Sequence, residues 1–589
     1  MSWRNDIRVV VGLDFGTTYS GFAYAHVSDD NNIIINNNWP GELGQLKTNT
    51  VIQYDEHHEN VESWGYPALS KRPKKIKKKS KNFGLFNLGN LFNNPKPELQ
   101  VDYKRSRPVE LFKLHLGKLF DNLKPKLPVD YKKAITDFLR EIGKFIKETI
   151  TTHWPGIEFL ENILIVIAVP AEYSEKDKGI MRECAYNAGF IKEKHSEKLQ
   201  FTVEPEAAAI YCMENGLKLN DLDIPGITFM TVDCGGGTVD LTTRKLLEGK
   251  QLGEVTERAG DFCGSTFIDK EFLNTLRKIL GDRAIDLLEL KNYKQMQYMI
   301  QEFNRHVKLQ FTGDKSEFIS YELDIEDVSP DVMEYVTKDI QLKMEEIDWL
   351  IVFKYEDIKS MFDPIIERVI KMIQVQLDNT RETCSAIFLV GGFSQSKYLQ
   401  NRIKQEFQHR VKNISVPTNP IAAISRGAAL YGLSIKNSAS DLDRMSSLKF
   451  VINERVIKFT YGVKVNPEWE DGNPIERRDN GRILKFRCMA RRGTVVKPNQ
   501  EFTSNFLPVY PAQDAMQFCI YYTTEYSAQY CDEDGMELLG KLRISLPDVH
   551  LGGNRPVLFA LTFGRMEIIA TAKNQLNGQN YQTTFKLDI

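Results

Sequence analysis

The sequence has little net charge of either sign: 77 Lys and Arg against 79 Asp and Glu leave −2, which excludes a general pull towards polyanions, and no specific nucleic-acid partner is expected. With 42% hydrophobic residues it lacks the composition of a disordered chain. Eight cysteines (Cys184, Cys212, Cys234, Cys263, Cys384, Cys488, Cys519, Cys531) show no paired spacing, which argues against a zinc site or a disulfide framework and fits a reducing compartment. The longest apolar run, ILIVIAVP at 163–170, is too short to span a bilayer, and MSWRNDIRVV does not read as a secretory leader. A cytoplasmic protein without membrane contact is the expectation. At 589 residues the chain is long enough for several compact units.

What the sequence does have is a triplet of glycines inside a Val- and Thr-rich strand, FMTVDCGGGTVDLTTRKL at 229–246. Glycine in a strand interior marks a turn, a bulge or a ligand lying close to the backbone. Asp233 and Asp240 bracket the triplet and Thr238 follows it. The exposed amides of Gly235, Gly236 and Gly237 suit phosphate oxygens, whereas the carboxylates suit a hydrated cation. For one such loop alone a plain hairpin turn is the better reading. A second copy, VVVGLDFGTTYSGFAYA at 9–25, repeats the layout with Asp14, Gly16, Thr17 and Thr18 followed by Tyr19. Two strand-turn-strand hairpins, each led by an aspartate, can face each other across a nucleotide and its metal.

Composition shifts abruptly at KRPKKIKKKSK, 71–81, a run that reads as a solvated segment or, alternatively, as a nuclear address. Beyond it LGNLFNNPKPELQVDYK (88–104) recurs as LGKLFDNLKPKLPVDYK (116–132), with twelve of seventeen positions identical, a partial duplication inserted at the surface. Residues 163–190 read as a buried strand, a proline stop and a helix capped by Ser174. Residues 268–382 read as mostly helical, with a strand-like break near 318–325. The run 386–407 is strand, glycine turn and helix, a geometry that turns free amides towards a ligand. SIKNSASDLDRMSS, 434–447, reads as a linker, and residues 448–589 as strands and turns.

GLDFGTTYSGFAYA, VPAEYS, VEPEAAAIY, VDCGGGTVDL, LVGGFSQSKYLQ and ISRGAALYG, in that order, resemble the ATPase domain of heat shock protein 70 (DnaK-like) proteins. Actin and the sugar kinases share only the two phosphate hairpins and the late glycine turn. The tail, with RRGTVVKPNQEFTSNF, GKLRISLPDV and LFALTFGRMEIIATA, is similar to that family's substrate-binding β-sandwich, and the inserts VELFKLHLG and VDYKKAITDFLREIG resemble its divergent heat shock 70 kDa protein 12-like branch. The resemblance implies a two-lobed, actin-like α/β ATPase domain of ribonuclease H-like sub-domains over 1–433, followed by an all-β sandwich without a helical lid.

It also implies ATP or ADP and Mg2+ as cofactors. Asp14, Glu204 and Asp233 match the carboxylates that hold the cation through water. Gly16, Thr17, Thr18, Tyr19, Gly235, Gly236 and Gly237 match nucleotide contacts, and Thr238 matches the threonine near the γ-phosphate. Lys113 falls where the catalytic lysine belongs, orienting water and screening charge in phosphoryl transfer; a solvated helix lysine is the rival reading. The adenosine positions fall on Arg305, Lys308, Leu309 and Thr312, and the late glycine turn supplies Gly391, Gly392 and Gln395. Leu309 and Gln395 stand where the family has arginines, so base recognition is weakened. The implied activity is slow ATP hydrolysis coupled to a protein or peptide client, with J-domain and nucleotide-exchange partners; the alternative is a nucleotide-binding interaction module with little turnover, since the linker lacks the family's leucine-rich acidic stretch.

Overall fold

The computed structural model describes residues 3–73, 107–117, 119–217, 222–437, 452, 454–497, 500–563 and 568–584. Most of the basic run and the whole first copy of the repeat lie outside the described residues.

Two mixed sheets share one plan. In the first, β1 (Val9–Phe15) forms a hairpin with β2 (Tyr19–His26), and β3 (Ile163–Val169) and β4 (Leu199–Val203) add in parallel on the far side of β1. In the second, β5 (Thr228–Cys234) forms a hairpin with β6 (Val239–Leu247), and β7 (Cys384–Val390) and β8 (Asn413–Ser415) add in parallel beside β5. β3, with the sequence ILIVIAV, is buried at every position, as a parallel strand covered on both faces requires. Helices α1 (Tyr131–His153) and α2 (Glu175–Asn187) pack on the first sheet. Ser174 caps α2 through a capping box with Asp177.

Between the sheets lie two helices of small residues, α3 (Glu204–Cys212) and, after the long α4 (Thr266–Leu280) and α5 (Tyr355–Asn379), α6 (Ala423–Asn437). Close approach explains their composition. A Cβ on Gly427 would lie 1.8 Å from the Ala207 carbonyl oxygen, and one on Gly12 of β1 would lie 2.2 Å from the Ser425 carbonyl. The hairpins of both sheets are therefore tied to one helical pair, which sets their mutual placement.

Two local expectations need correction. Helix α6 runs to Asn437, past the start assigned to the linker, because Leu433 and Ser434 continue its buried face. The segment 268–382 holds two short strands, Tyr321–Asp324 and Leu350–Phe353, which pair antiparallel. The second was unforeseen, since the apolar run WLIVF carries no period that separates strand from buried helix.

After residue 454 the described residues form strands joined by turns and two short 3-10 helices. Strands β9 (Thr460–Val465), β10 (Lys485–Ala490), β12 (Ala515–Thr523) and β13 (Glu537–Ser545) form one antiparallel sheet in the order β10-β9-β12-β13. Strands β11 (Gln500–Phe506), β14 (Val557–Phe563), β15 (Ile569–Asn574) and β16 (Asn580–Thr584) form another in that order. Alternating side chains of both enter one apolar core, in which the rings of Phe518 and Phe559 stack at 4.5 Å.

Candidate functional site

The two hairpin turns meet. Thr18 lies against Gly236 so closely that a Cβ there would sit 2.2 Å from Thr18 Oγ1, and Thr17 Oγ1 stands 2.6 Å from the equivalent point on Gly237. Each turn is held from behind. Thr50 donates its amide to the Thr18 carbonyl (2.8 Å) and its hydroxyl to the Gly16 carbonyl (2.9 Å). The carbonyls of Gly235, Gly236 and Gly237 accept the amides of Ser265, Thr266 and Gly264 at 2.9–3.2 Å, at the start of α4. With the carbonyls drawn away, the amides of Thr17, Thr18, Gly236 and Gly237 donate to nothing among the described residues; Gly235 spends its own on the Thr238 carbonyl (3.0 Å). Unpaired amides in consecutive turn positions make an anion cradle. Tyr19 opens β2 and is half exposed.

Carboxylates crowd beneath the turns. Asp14 and Asp233 end β1 and β5, Glu204 opens α3, and Asp240 lies directly across from Asp233 in the hairpin register. All are buried. Lys113 occupies a 3-10 turn, Phe112–His115, is 4% exposed, and donates from Nζ to Glu204 Oε1 at 2.7 Å, so it is no solvated helix lysine. The Phe15 ring lies 5.6 Å from the ammonium. Burial pushes Glu204 up from the usual carboxylate range and Lys113 opposes that shift. Asp233 is driven well up, first by burial and then by Glu204 and Asp14. Asp240 is raised to about 8, by burial and then Glu204, so it is mainly protonated at neutral pH. One of its oxygens accepts the Ala171 amide (2.8 Å) and the other has no hydrogen-bond partner. Thr238 is buried beside it.

The late glycine turn joins this group in part. Gly391, at φ +82°, passes so near Asp233 that a Cβ would lie 2.4 Å from Oδ1. Its own amide, however, donates to the Pro420 carbonyl (3.1 Å), and the helix beyond starts only at Lys397 with Ser396 as its cap. A 3-10 turn, Phe393–Gln395, intervenes with Gly392 as its cap; the amides of Gly392 and Phe393 donate to nothing among the described residues, and Gly392 and Gln395 are exposed.

Four side chains occupy the positions that the resemblance assigns to adenosine. Lys308 is buried and spent on Asp269 (2.7 Å). Arg305 is exposed and paired with Glu302 (3.1 Å). Leu309 is 59% exposed, and the Thr312 hydroxyl accepts the Asp314 amide (3.1 Å).

Sequence reasoning missed two sets of residues. Lys47, from the polar loop LGQLKTNT, places Nζ 2.5 Å from Asp14 Oδ2, and nothing in its sequence neighbourhood signals this. The second set is a buried charge network one helical step from the site. Glu206 accepts from Arg455 (2.8 and 3.0 Å), Arg244 (3.0 Å) and Arg258 (3.5 Å), while Glu254 takes Arg244 (3.3 Å), Arg258 (3.2 Å) and the Val456 amide (2.6 Å). A second glutamate in the otherwise apolar EPEAAAIYC, and an arginine inside β6, were the available signals.

Comparison with known proteins agrees with this arrangement. The family model described as Hsp70 protein matches residues 10–465. Human heat shock 70 kDa protein 12A is 24% identical across 97% of this chain and 90% of its own length. Human heat shock 70 kDa protein 12B is 23% identical across 96% and 89%, and the mitochondrial iron-sulfur cluster biogenesis chaperone of Saccharomyces cerevisiae (strain ATCC 204508 / S288c) is 24% identical across 72% and 59%. With motif, topology and family model in accord, the chain belongs to the Hsp70 family, whose domain of two lobes binds ATP.

Proposed function

We propose that this protein binds ATP between the two hairpin turns and hydrolyses it slowly, coupling the change to protein or peptide binding by its C-terminal β-region. The observation that carries the reading is the meeting of Thr17 and Thr18 with Gly236 and Gly237, amides unpaired, above Asp14, Glu204, Asp233 and Lys113. The cradle amides would bind phosphate oxygens. Lys113 would hold charge against the transferring group and orient the attacking water, with Glu204 fixing its ammonium. Catalysis of this kind rests on positioning and electrostatics.

Carboxylate oxygens and an unpartnered Asp240 oxygen are hard donors that fit a hydrated Mg2+. Among the described residues no group of three His, Cys, Asp or Glu is close enough to hold a metal directly; in this reading Asp14, Glu204 and Asp233 would reach it through water. When bound, Mg2+ supplies charge neutralisation of the phosphates.

The two C-terminal sheets with their common core support the reading of a β-sandwich that takes an extended peptide. The domain scheme proposed is a nucleotide domain to about residue 437, a connector, and the β-region, with J-domain and exchange-factor partners in a cytoplasmic setting. A second reading, a nucleotide-dependent interaction module with little turnover, draws support from Lys308 being committed to Asp269 and Leu309 facing outward.

Single-turnover phosphate release decides between them. Release from the full chain that is abolished in Lys113→Ala and in Asp233→Asn supports hydrolysis at this site. ATP binding without release in any of the three supports the module, and no binding overturns both.

A further inference from the structure

Lys47 is built into the site from several directions. The strand Thr48–Asn49 pairs with Tyr19 and Ser20, and Thr50 is clamped to the first turn, so the residue before them is carried to the mouth of the β1-β2 hairpin. Its stem then crosses β2 at Gly21. A Cβ on Gly21 would lie 2.7 Å from Lys47 Cγ, so only glycine leaves the slot open. Gly21 is the direct register partner of Asp14, and the slot therefore delivers the ammonium to that carboxylate at 2.5 Å with the side chain 12% exposed.

Charge explains what this achieves. Asp14, Glu204 and Asp233 converge beside Asp240 in one buried space, where each carboxylate left ionised would oppose an incoming polyphosphate. Lys113 answers Glu204, and Lys47 answers Asp14. Asp233 has no ion-pair partner among the described residues.

Resting on the nucleotide-binding reading above, we propose that Lys47 is a resident cation: its ammonium supplies at Asp14 the positive charge that a hydrated divalent ion would otherwise bring, and the site accepts a nucleoside diphosphate without needing that ion. Gly21 is part of the same device, because any side chain there closes the route of the lysine stem.

The test is calorimetric titration of the full chain with ADP, in Mg2+ buffer and in the same buffer with EDTA. For the native protein chelation changes Kd less than about 3-fold. Lys47→Met, which keeps the apolar stem in the slot, loses affinity at least about 30-fold on chelation, whereas Lys47→Arg behaves as the native protein. Equal loss on chelation for the native protein and Lys47→Met overturns the inference and leaves nucleotide binding standing. ADP bound in neither buffer overturns both together. The native-protein arm is sufficient even where Lys47→Met does not fold, since a loss of about 30-fold there already contradicts a resident cation.

Discussion

Two charge clusters lie two residues apart on α3, and they are built on opposite principles. Around Glu206 every carboxylate is answered: Glu206 and Glu254 face three guanidiniums, Arg244, Arg258 and Arg455, with forked contacts and little solvent. Around Glu204 the acids outnumber the bases, and Asp233 and Asp240 are left with raised proton affinity. The first cluster holds Glu206 well below the usual carboxylate range, its arginines outweighing the cost of burial. A satisfied network of this kind fastens parts together, whereas an unsatisfied one is poised for an outside charge. Because Arg455 and Val456 lead into the β-region, the satisfied cluster is also the point where that region grips the nucleotide lobes.

The contrast can be broken most strongly at its rigid side. Glu206→Ala takes the carboxylate from buried Arg455 and leaves Arg244 and Arg258 to Glu254 alone, and is expected to cost about 3–5 kcal/mol in urea unfolding, with the β-region melting separately in calorimetry. Gly427→Ala, which forces a methyl against the Ala207 backbone, should cost about 3 kcal/mol by the same measurement, and it shifts both hairpins because α6 carries them.

At the unsatisfied cluster the same kind of change should act in the other direction. Asp233→Asn removes a charge that burial disfavours and is expected to hold stability constant or raise it by about 1 kcal/mol, while abolishing phosphate release. The pH response separates the clusters further. Asp240 has a folded value of about 8 against 3.8 for the free side chain, so its contribution is full below the lower value and is lost as pH rises through the upper one. Melting temperature should therefore fall between about pH 5 and 8 in the native protein, level off above that, and fall less in Asp240→Asn. Glu206 is shifted the opposite way, so its contribution is full above the ordinary glutamate value and is lost only in strong acid, leaving the latch indifferent to that window.

The smallest effect belongs to the rim. Arg492 and Glu257 form a second bridge to the β-region at 2.9 and 3.0 Å, but the arginine side chain is 42% exposed. Arg492→Ala should cost only about 0.2–1 kcal/mol in the same urea titration, and less in high salt.

How much of this was legible beforehand follows from the range of the interactions. The hairpins around Asp14 and Asp233 could be read because strand, turn and glycine are local matters, each settled within about a dozen residues by pattern and backbone freedom. Lys113 could be read only through resemblance, since its partner Glu204 lies 91 positions away. The pairing of Lys308 with Asp269, across 39 positions, could not be read from residue types alone, which do not say what else a side chain will meet. Lys47 had no signal of its own; the clue was Gly21, and a single glycine in a strand has many explanations.

By itself, the order of residues determined the two phosphate-type hairpins, the small-residue helices and the β-rich tail, because short-range pattern and steric size decide those. Folding alone decided which charges meet. Glu204 and Glu206 differ in role only because one side of α3 turns to the hairpin turns with their surplus of acids and the other to three arginines drawn from distant parts of the chain, and no local pattern records which face of a helix will find its counter-charge.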